Sequence, residues 1–169
     1  TLTLDEGPES FDGAILATHA DEALALLASP AWDQIRVLGC IPYIRSVSTV
    51  HDDASVLPPE TLRSEYVVSL GTDGTVTTWD MARIQGEEAD LLVTVAPPNR
   101  QPIADRHVKA RIAYKHPAMT PEAVAAIPDL EGLNAAGPLY FCGSYFGPTG
   151  SNEGAVASAE RAARHLMTR

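Results

Sequence analysis

The chain has 169 residues, 45% hydrophobic and 20% charged, the length of one ordinary domain with enough apolar material for a packed core. Its 12 basic and 22 acidic residues give a net charge of −10, which argues against nucleic acid or an anionic membrane surface as partner. Cys40 and Cys142 are too few and too separated for a disulfide scaffold or a zinc knuckle, and the five histidines show no ligand spacing, so no metal is expected. No apolar run approaches the ~20 residues of a membrane span, and the N-terminus lacks a signal-peptide layout. A cytoplasmic location is the expectation.

In chain order, Thr1 to Leu4 alternates polar and apolar residues, and Asp5-Glu6-Gly7-Pro8 turns the chain. Phe11 to Thr18 reads as a strand buried on both faces. Asp21 then caps a helix over Glu22 to Ala28, which Pro30 stops. From about Ile35 to Pro97 the composition becomes β-branched. Runs at 43–51, 65–70, 75–83 and 90–96 are separated by Asp52-Asp53, Gly71-Thr72-Asp73-Gly74 and Gly86-Glu87. They predict a largely antiparallel sheet of about four strands. Pro97 to Pro102 breaks the pattern. A further β-rich run follows at 108–116, and Thr120-Pro121-Glu122 opens a helix.

Pro138 to Gly143 is a short apolar strand that runs into a loop of Gly and small polar residues, 144–152. An Ala-rich helix, Glu153 to Met167, follows with Val156, Ala159, Ala163 and Leu166 along one face. Gly143, Gly147, Gly150 and Gly154 match neither the P-loop nor G-x-G-x-x-G. By residue type alone the loop is either a ligand cradle or a tight strand-to-helix turn. The helix start offers free N–H groups and the positive end of a macrodipole.

Other candidates have simpler readings. His165 suits the negative pole at the end of the last helix. Asp52 and Asp53 would point to opposite faces of a strand, so they read as turn residues rather than an acid–base pair. Trp79, Tyr66 and Tyr114 sit on predicted strands, as core or as cleft wall. Thr1 would be the nucleophile if the chain were an N-terminal-threonine hydrolase. No lysine or oxyanion donor can be assigned to assist it.

The two ends together, FDGAILATHADEALALL and LYFCGSYFGPTGSNEGAVASAERAARHL, resemble the C-terminal part of the flavin-dependent amine oxidase superfamily. The likeness is to its bacterial branch of predicted NAD/FAD-binding proteins, near the carotenoid desaturases. VTTWDMARIQ and LLVTVAPP are similar to that family's substrate-domain sheet. The resemblance implies FAD as cofactor. Gly143 and Ser144 would approach the ribityl-pyrophosphate stretch. Glu153, Gly154, Ala155 and Val156 would begin the helix facing the flavin C2 carbonyl, and Ala17 and Thr18 would meet the dinucleotide at a strand end. A helix N-terminus suits the negative charge of a reduced flavin.

The family's N-terminal G-x-G-x-x-G is absent here, which implies a second polypeptide carrying that half, as a nicked precursor or a separate subunit. The family's lysine-bearing strand corresponds to YIRSVSTVH, which holds Arg45 and no Lys. Arginine cannot replace a lysine that must lose its proton, so desaturation, isomerisation and other oxidations stand beside amine oxidation. The expected fold is α/β (α+β). Residues 1–30 and 138–169 would form part of an FAD-binding, Rossmann-like layer, and 31–137 a mixed, largely antiparallel substrate-domain sheet with helices. Trp79, Tyr66 and Tyr114 would line the substrate cavity. The expected function is a segment of a heteromeric FAD-dependent oxidoreductase passing hydride from a small substrate to flavin. The alternative is a non-catalytic subunit of a flavoprotein complex.

Overall fold

The computed structural model describes residues 2–86 and 91–168; Thr1, and Asp90 at the start of one expected strand, lie outside them. The chain opens with an antiparallel hairpin of β1 (Leu2–Leu4) and β2 (Gly7–Glu9) around Asp5-Glu6. The next apolar run forms β3 (Ala14–Leu16), and α1 (Ala20–Leu26) follows, opened by the Glu22 carboxylate accepting the His19 N–H at 3.4 Å. A helix absent from the sequence reading comes next, α2 (Trp32–Gly39). Its start uses the same reach-back, with the Ala31 N–H donating to Gln34 Oε1 at 2.8 Å.

β4 (Tyr43–His51) has the expected bounds. β5 (Tyr66–Gly71) and β6 (Gly74–Asp80) form a hairpin in which Gly71 pairs with Gly74 around Thr72-Asp73. The run expected to continue to Arg83 instead turns helical as α3 (Met81–Gln85), because the Asp80 carboxylate caps the Arg83 N–H at 3.2 Å. β7 (Leu92–Ala96) and β8 (Val108–Pro117) complete the β-rich stretch. Thr120 caps α4 (Pro121–Ala125), its hydroxyl accepting the Ala123 N–H at 3.2 Å. After it come α5 (Ile127–Ala136), β9 (Leu139–Phe141) and α6 (Asn152–Met167). The fold is thus mixed α/β, with six helices among the described residues, a five-strand antiparallel sheet and one short parallel pair. No helix among them is long and apolar enough to cross a membrane.

The chain forms two compact units. One is Ile44–His116, and the other joins the chain up to Tyr43 with the chain from Pro117 onward. In the first unit the strand order is β5-β6-β7-β4-β8, so β8 adds a fifth strand to the expected four. Its buried face is unusually polar. Thr78 pairs with Thr94, and Thr94 with Thr49, all nearly inaccessible to solvent. Their hydroxyls therefore need partners within the protein. His51, fully buried, supplies one: its Nε2 lies 2.8 Å from Thr94 Oγ1, and Thr94 Oγ1 lies 2.7 Å from Thr78 Oγ1. The Asp53 N–H donates to His51 Nδ1 at 3.1 Å, which places the imidazole proton on Nε2.

In the second unit β3 and β9 run parallel, with Ile15 opposite Tyr140. Period-two alternation sends Ala14 and Leu16 to one face and Ile15 to the other. Leu16 and Leu139 pack into a core with Ala20, Ala23, Leu38, Leu130 and Phe141. Tyr140 and Cys142 form a second cluster with Ala162 of α6. Helices thus cover both faces of a very narrow parallel layer, as such layers require. Arg36 of α2 reaches Asp129 of α5 at 2.7 Å, and Arg161 of α6 reaches Glu131 of α5 at 2.7 Å.

Candidate functional site at the carboxyl ends of the parallel strands

Both parallel strands end on the same side, and ligands in open α/β layers bind beyond strand carboxyl ends. β3 leads into Ala17-Thr18-His19 and then α1; β9 leads into Cys142-Gly143-Ser144, a single 3₁₀ turn over Ser144–Phe146, and then α6. The strand ends meet closely, since a Cβ added to Gly143 would lie 3.4 Å from Thr18 O. Ala17-Thr18 and Gly143-Ser144 are therefore brought together at the two strand ends. Ser144 in turn touches the start of α6, its carbonyl oxygen lying 3.4 Å from the position of a Cβ on Gly154.

The glycines, however, are used within the chain. A Cβ on Gly154 would meet Gly147 Cα at 3.1 Å and Gly147 N at 3.3 Å. The absent side chain thus lets helix and turn backbones approach each other. A Cβ on Gly143 would lie 2.5 Å from Cε1 of the buried Tyr145 ring, at φ +159°. Gly143→Ala is expected to cost about 2 kcal/mol, because the enclosed ring has nowhere to swing. A urea midpoint unchanged from wild type would refute that reading of the loop.

Ser158, absent from the sequence reading, ties the two halves of the loop together. Its hydroxyl oxygen accepts the Gly143 N–H at 3.0 Å and donates to Ala155 O at 2.8 Å. Ser151 caps α6 by accepting the Gly154 N–H at 3.3 Å. The N–H groups of Asn152 and Glu153 have no partner among the described residues, as expected for a first helical turn. Glu153 and Val156 are exposed, and Gly154 and Ala155 half-buried. The Glu153 carboxylate already complements the helix dipole in part.

Three aromatic or heteroaromatic rings pack beneath the β3 end. Tyr43 Oη accepts the Ala20 N–H at 2.7 Å, and the His19 ring lies 4.6 Å from that of Tyr43. Burial pushes the Tyr43 phenol up to about 12, with Asp21 and Glu22 adding to the rise. Tyr145 is almost wholly buried, and its hydroxyl has no hydrogen-bond partner among the described residues. Burial first, then Tyr43 and Cys142, raise its pKa as well. An orphaned buried hydroxyl costs about 1–3 kcal/mol, which a polar atom brought into reach would offset. No motif signals these rings in the sequence, because they come from separate elements.

Compared with known proteins, the chain matches no family model and no curated protein.

The remaining candidates lie elsewhere. In the sheet, Tyr66 stands directly opposite Trp79, Trp79 opposite Val93, and Val93 opposite Val50, giving one apolar row across four strands. Tyr114 lies on β8, at the edge of the sheet away from β5, and is half exposed. The structure therefore joins Tyr66 to Trp79 and leaves Tyr114 apart from them. Asp52 and Asp53 follow the end of β4, each with its own task, Asp53 capping the 3₁₀ turn Ala54–Val56. Asp52 holds His107 Nδ1 at 2.8 Å and Lys109 Nζ at 2.5 Å, and Lys109 foremost lowers its pKa. Asp53 accepts from the Ser55 hydroxyl and N–H. One potential ligand cluster, His19, Asp21 and Glu22, has donor atoms within 4.8 Å of one another. It coincides with the cap of α1, where Glu22 binds the His19 N–H.

Proposed function

We propose that this chain is part of an FAD-dependent oxidoreductase that removes hydride from a small substrate, with a second polypeptide completing the dinucleotide site. The observation that carries the reading is the open first turn of α6 at the carboxyl ends of two parallel strands. Asn152 and Glu153 present N–H groups there, and such a turn favours negative charge. The orphaned Tyr145 hydroxyl is a further group that a bound polar atom could satisfy. The close Gly147–Gly154 contact fills the Cα side of the turn, so a ligand is received by N–H groups and not in a glycine hollow.

When bound, FAD supplies a hydride acceptor. The chain's own contribution is electrostatic and positional. The α6 turn would offer its N–H groups to a negatively charged part of the cofactor, and Ala17-Thr18 and Gly143-Ser144 offer strand ends without bulky side chains. Trp79 and Tyr66 give the sheet unit an aromatic surface suited to an apolar substrate. The Gly147–Gly154 contact also favours a second reading, a subunit that keeps the fold and holds no productive flavin.

Isolation of the chain with its native partners separates the two. The first reading expects flavin absorbance and FAD released on denaturation, in proportion to the chain. A colourless complex supports the second. Val156→Trp, at an exposed position, is expected to reduce flavin retention at least about tenfold while leaving the unfolding midpoint unchanged.

A further inference from the structure

The five-strand sheet ends in two unlike edges. At one, β8 carries Lys109, Arg111 and Lys115 on one face, and charges of one sign keep a free edge from pairing with its own copy. At the other, β5 holds no charged residue from Tyr66 to Gly71. No strand pairs with its outer side among the described residues. The Asp80 N–H donates to Glu65 O at 2.8 Å. Glu65, Val67, Ser69 and Gly71 therefore exchange bonds with β6, and Tyr66, Val68 and Leu70 turn their N–H and C=O groups outward. The side chains of these three share one face and are 56%, 47% and 82% exposed. A free apolar edge of this kind is a template for another strand.

Register and charge select the occupant. An antiparallel partner bonds through its own outward groups. A second β5 related by a twofold axis places Val68 opposite Val68 and Tyr66 opposite Leu70, so that every outward residue meets an apolar one. The same register sets Arg63 opposite Asp73 of the other copy, because the two lie equally far from Val68 on either side. Arg63 is extended, at φ −73° and ψ 134°, so the count carries past the strand end. Its Nε donates to Pro58 O at 3.1 Å. Neither its guanidinium nor the exposed Asp73 carboxylate has an ion-pair partner among the described residues. Glu65 falls opposite Gly71, so no like charges meet. Most of the chain's net negative charge lies outside Ile44–His116, which limits repulsion between two sheet units.

We propose that β5 pairs antiparallel with β5 of a second copy of this chain about a twofold axis at Val68, joining two sheets edge to edge. Apolar contacts at Tyr66, Val68 and Leu70 hold the centre, and Arg63–Asp73 ion pairs fix the register at both ends. The pairing uses neither the α6 turn nor a flavin, so it stands independently of the functional reading above.

The test is sedimentation velocity on the full chain, joined to hydrogen exchange. An edge pairing is a small interface, so a reversible monomer–dimer equilibrium is expected between roughly 10 μM and 1 mM. The Tyr66, Val68 and Leu70 amides should exchange more slowly as concentration rises, while those of Val67 and Ser69, already bonded to β6, should not change. Arg63→Glu and Asp73→Lys should each weaken the dimer about tenfold, because each brings like charges together at both ends. An equimolar mixture of the two variants should associate as tightly as wild type, since every facing pair is again opposite in sign. Should either variant unfold, Val68→Lys, at an exposed position, meets its own copy at the axis and should abolish the dimer with the urea midpoint unchanged. A monomer throughout the range overturns the proposal. So does protection confined to other amides, a mixture no tighter than either variant alone, or undiminished association of Val68→Lys.

Discussion

Replacing Asn134 by leucine is expected to destabilise the unit that contains β3 and β9 by about 3 kcal/mol. Asn134 is 1% exposed on α5. Its Nδ2 donates to Phe141 O at 2.9 Å, and its Oδ1 accepts the Phe141 N–H at 2.7 Å. These are the two bonds that another strand would make to the outer edge of β9. Leucine has similar bulk, so packing is nearly retained while a buried N–H and a buried C=O both lose their partner. Removing both members of a polar pair can be nearly neutral, but here only one member is removed. Asn134→Asp should be worse at neutral pH, because a carboxylate oxygen would then face the Phe141 carbonyl. Trp32, on α2, serves as the fluorescence reporter for this unit in a Trp79→Phe background. A loss below about 1 kcal/mol for Asn134→Leu would mean that water replaces the amide and that the β9 edge is not sealed.

Local residue patterns account for what the sequence discloses of this fold, and tertiary contacts for what it does not. β4 was legible to the residue, because Tyr43 to His51 is an unbroken β-favouring run between Pro42 and Asp52. The β5–β6 hairpin was legible from Asp73-Gly74. The α2 helix was not, because Ile35, Val37 and Trp32 favour strands and Ala31 offers no side-chain cap. Its only local sign is Gln34 reaching back to the Ala31 N–H. Met81–Gln85 is hidden for a related reason: Asp80 lies within a β-favouring run and acts as a helix cap. At the candidate site, the glycine loop and the start of α6 were visible as a strand–loop–helix pattern. What the glycines do was not visible, because Gly147 and Gly154 meet only once the turn is folded. Asn134, Ser158, Tyr43 and Tyr145 carry no motif, and their roles follow from tertiary contacts alone.

The sheet unit is expected to lose stability as pH falls below about 6.5, the ordinary histidine value, through His51. Burial lowers the His51 pKa, although Asp53 and Asp52 push the other way. The native state thus favours neutral imidazole, while an unfolded chain takes up a proton below its own pKa. Stability is full above that pH, falls as pH drops toward the lower native value, and levels off beneath it. The geometry supplies the reason. Protonating Nδ1 would break the bond from the Asp53 N–H and set two donors face to face. Asp52 and Asp53 have lowered pKa values, so their contributions are lost only at more acidic pH and leave this window to His51. Thr94→Val tests the other end of the chain of bonds. It deprives His51 Nε2–H of its acceptor at 2.8 Å and Thr78 of its partner at 2.7 Å, at an expected cost of about 3 kcal/mol for two buried groups left unpaired. Urea midpoints at pH 7.5 and 5.5, read from Trp79 in a Trp32→Phe background, check both statements. His51→Phe should flatten the difference between the two pH values even though it lowers both midpoints, because the Asp53 N–H then has no acceptor. A slope that persists in His51→Phe would assign the acid sensitivity to another group and leave the threonine row as packing alone.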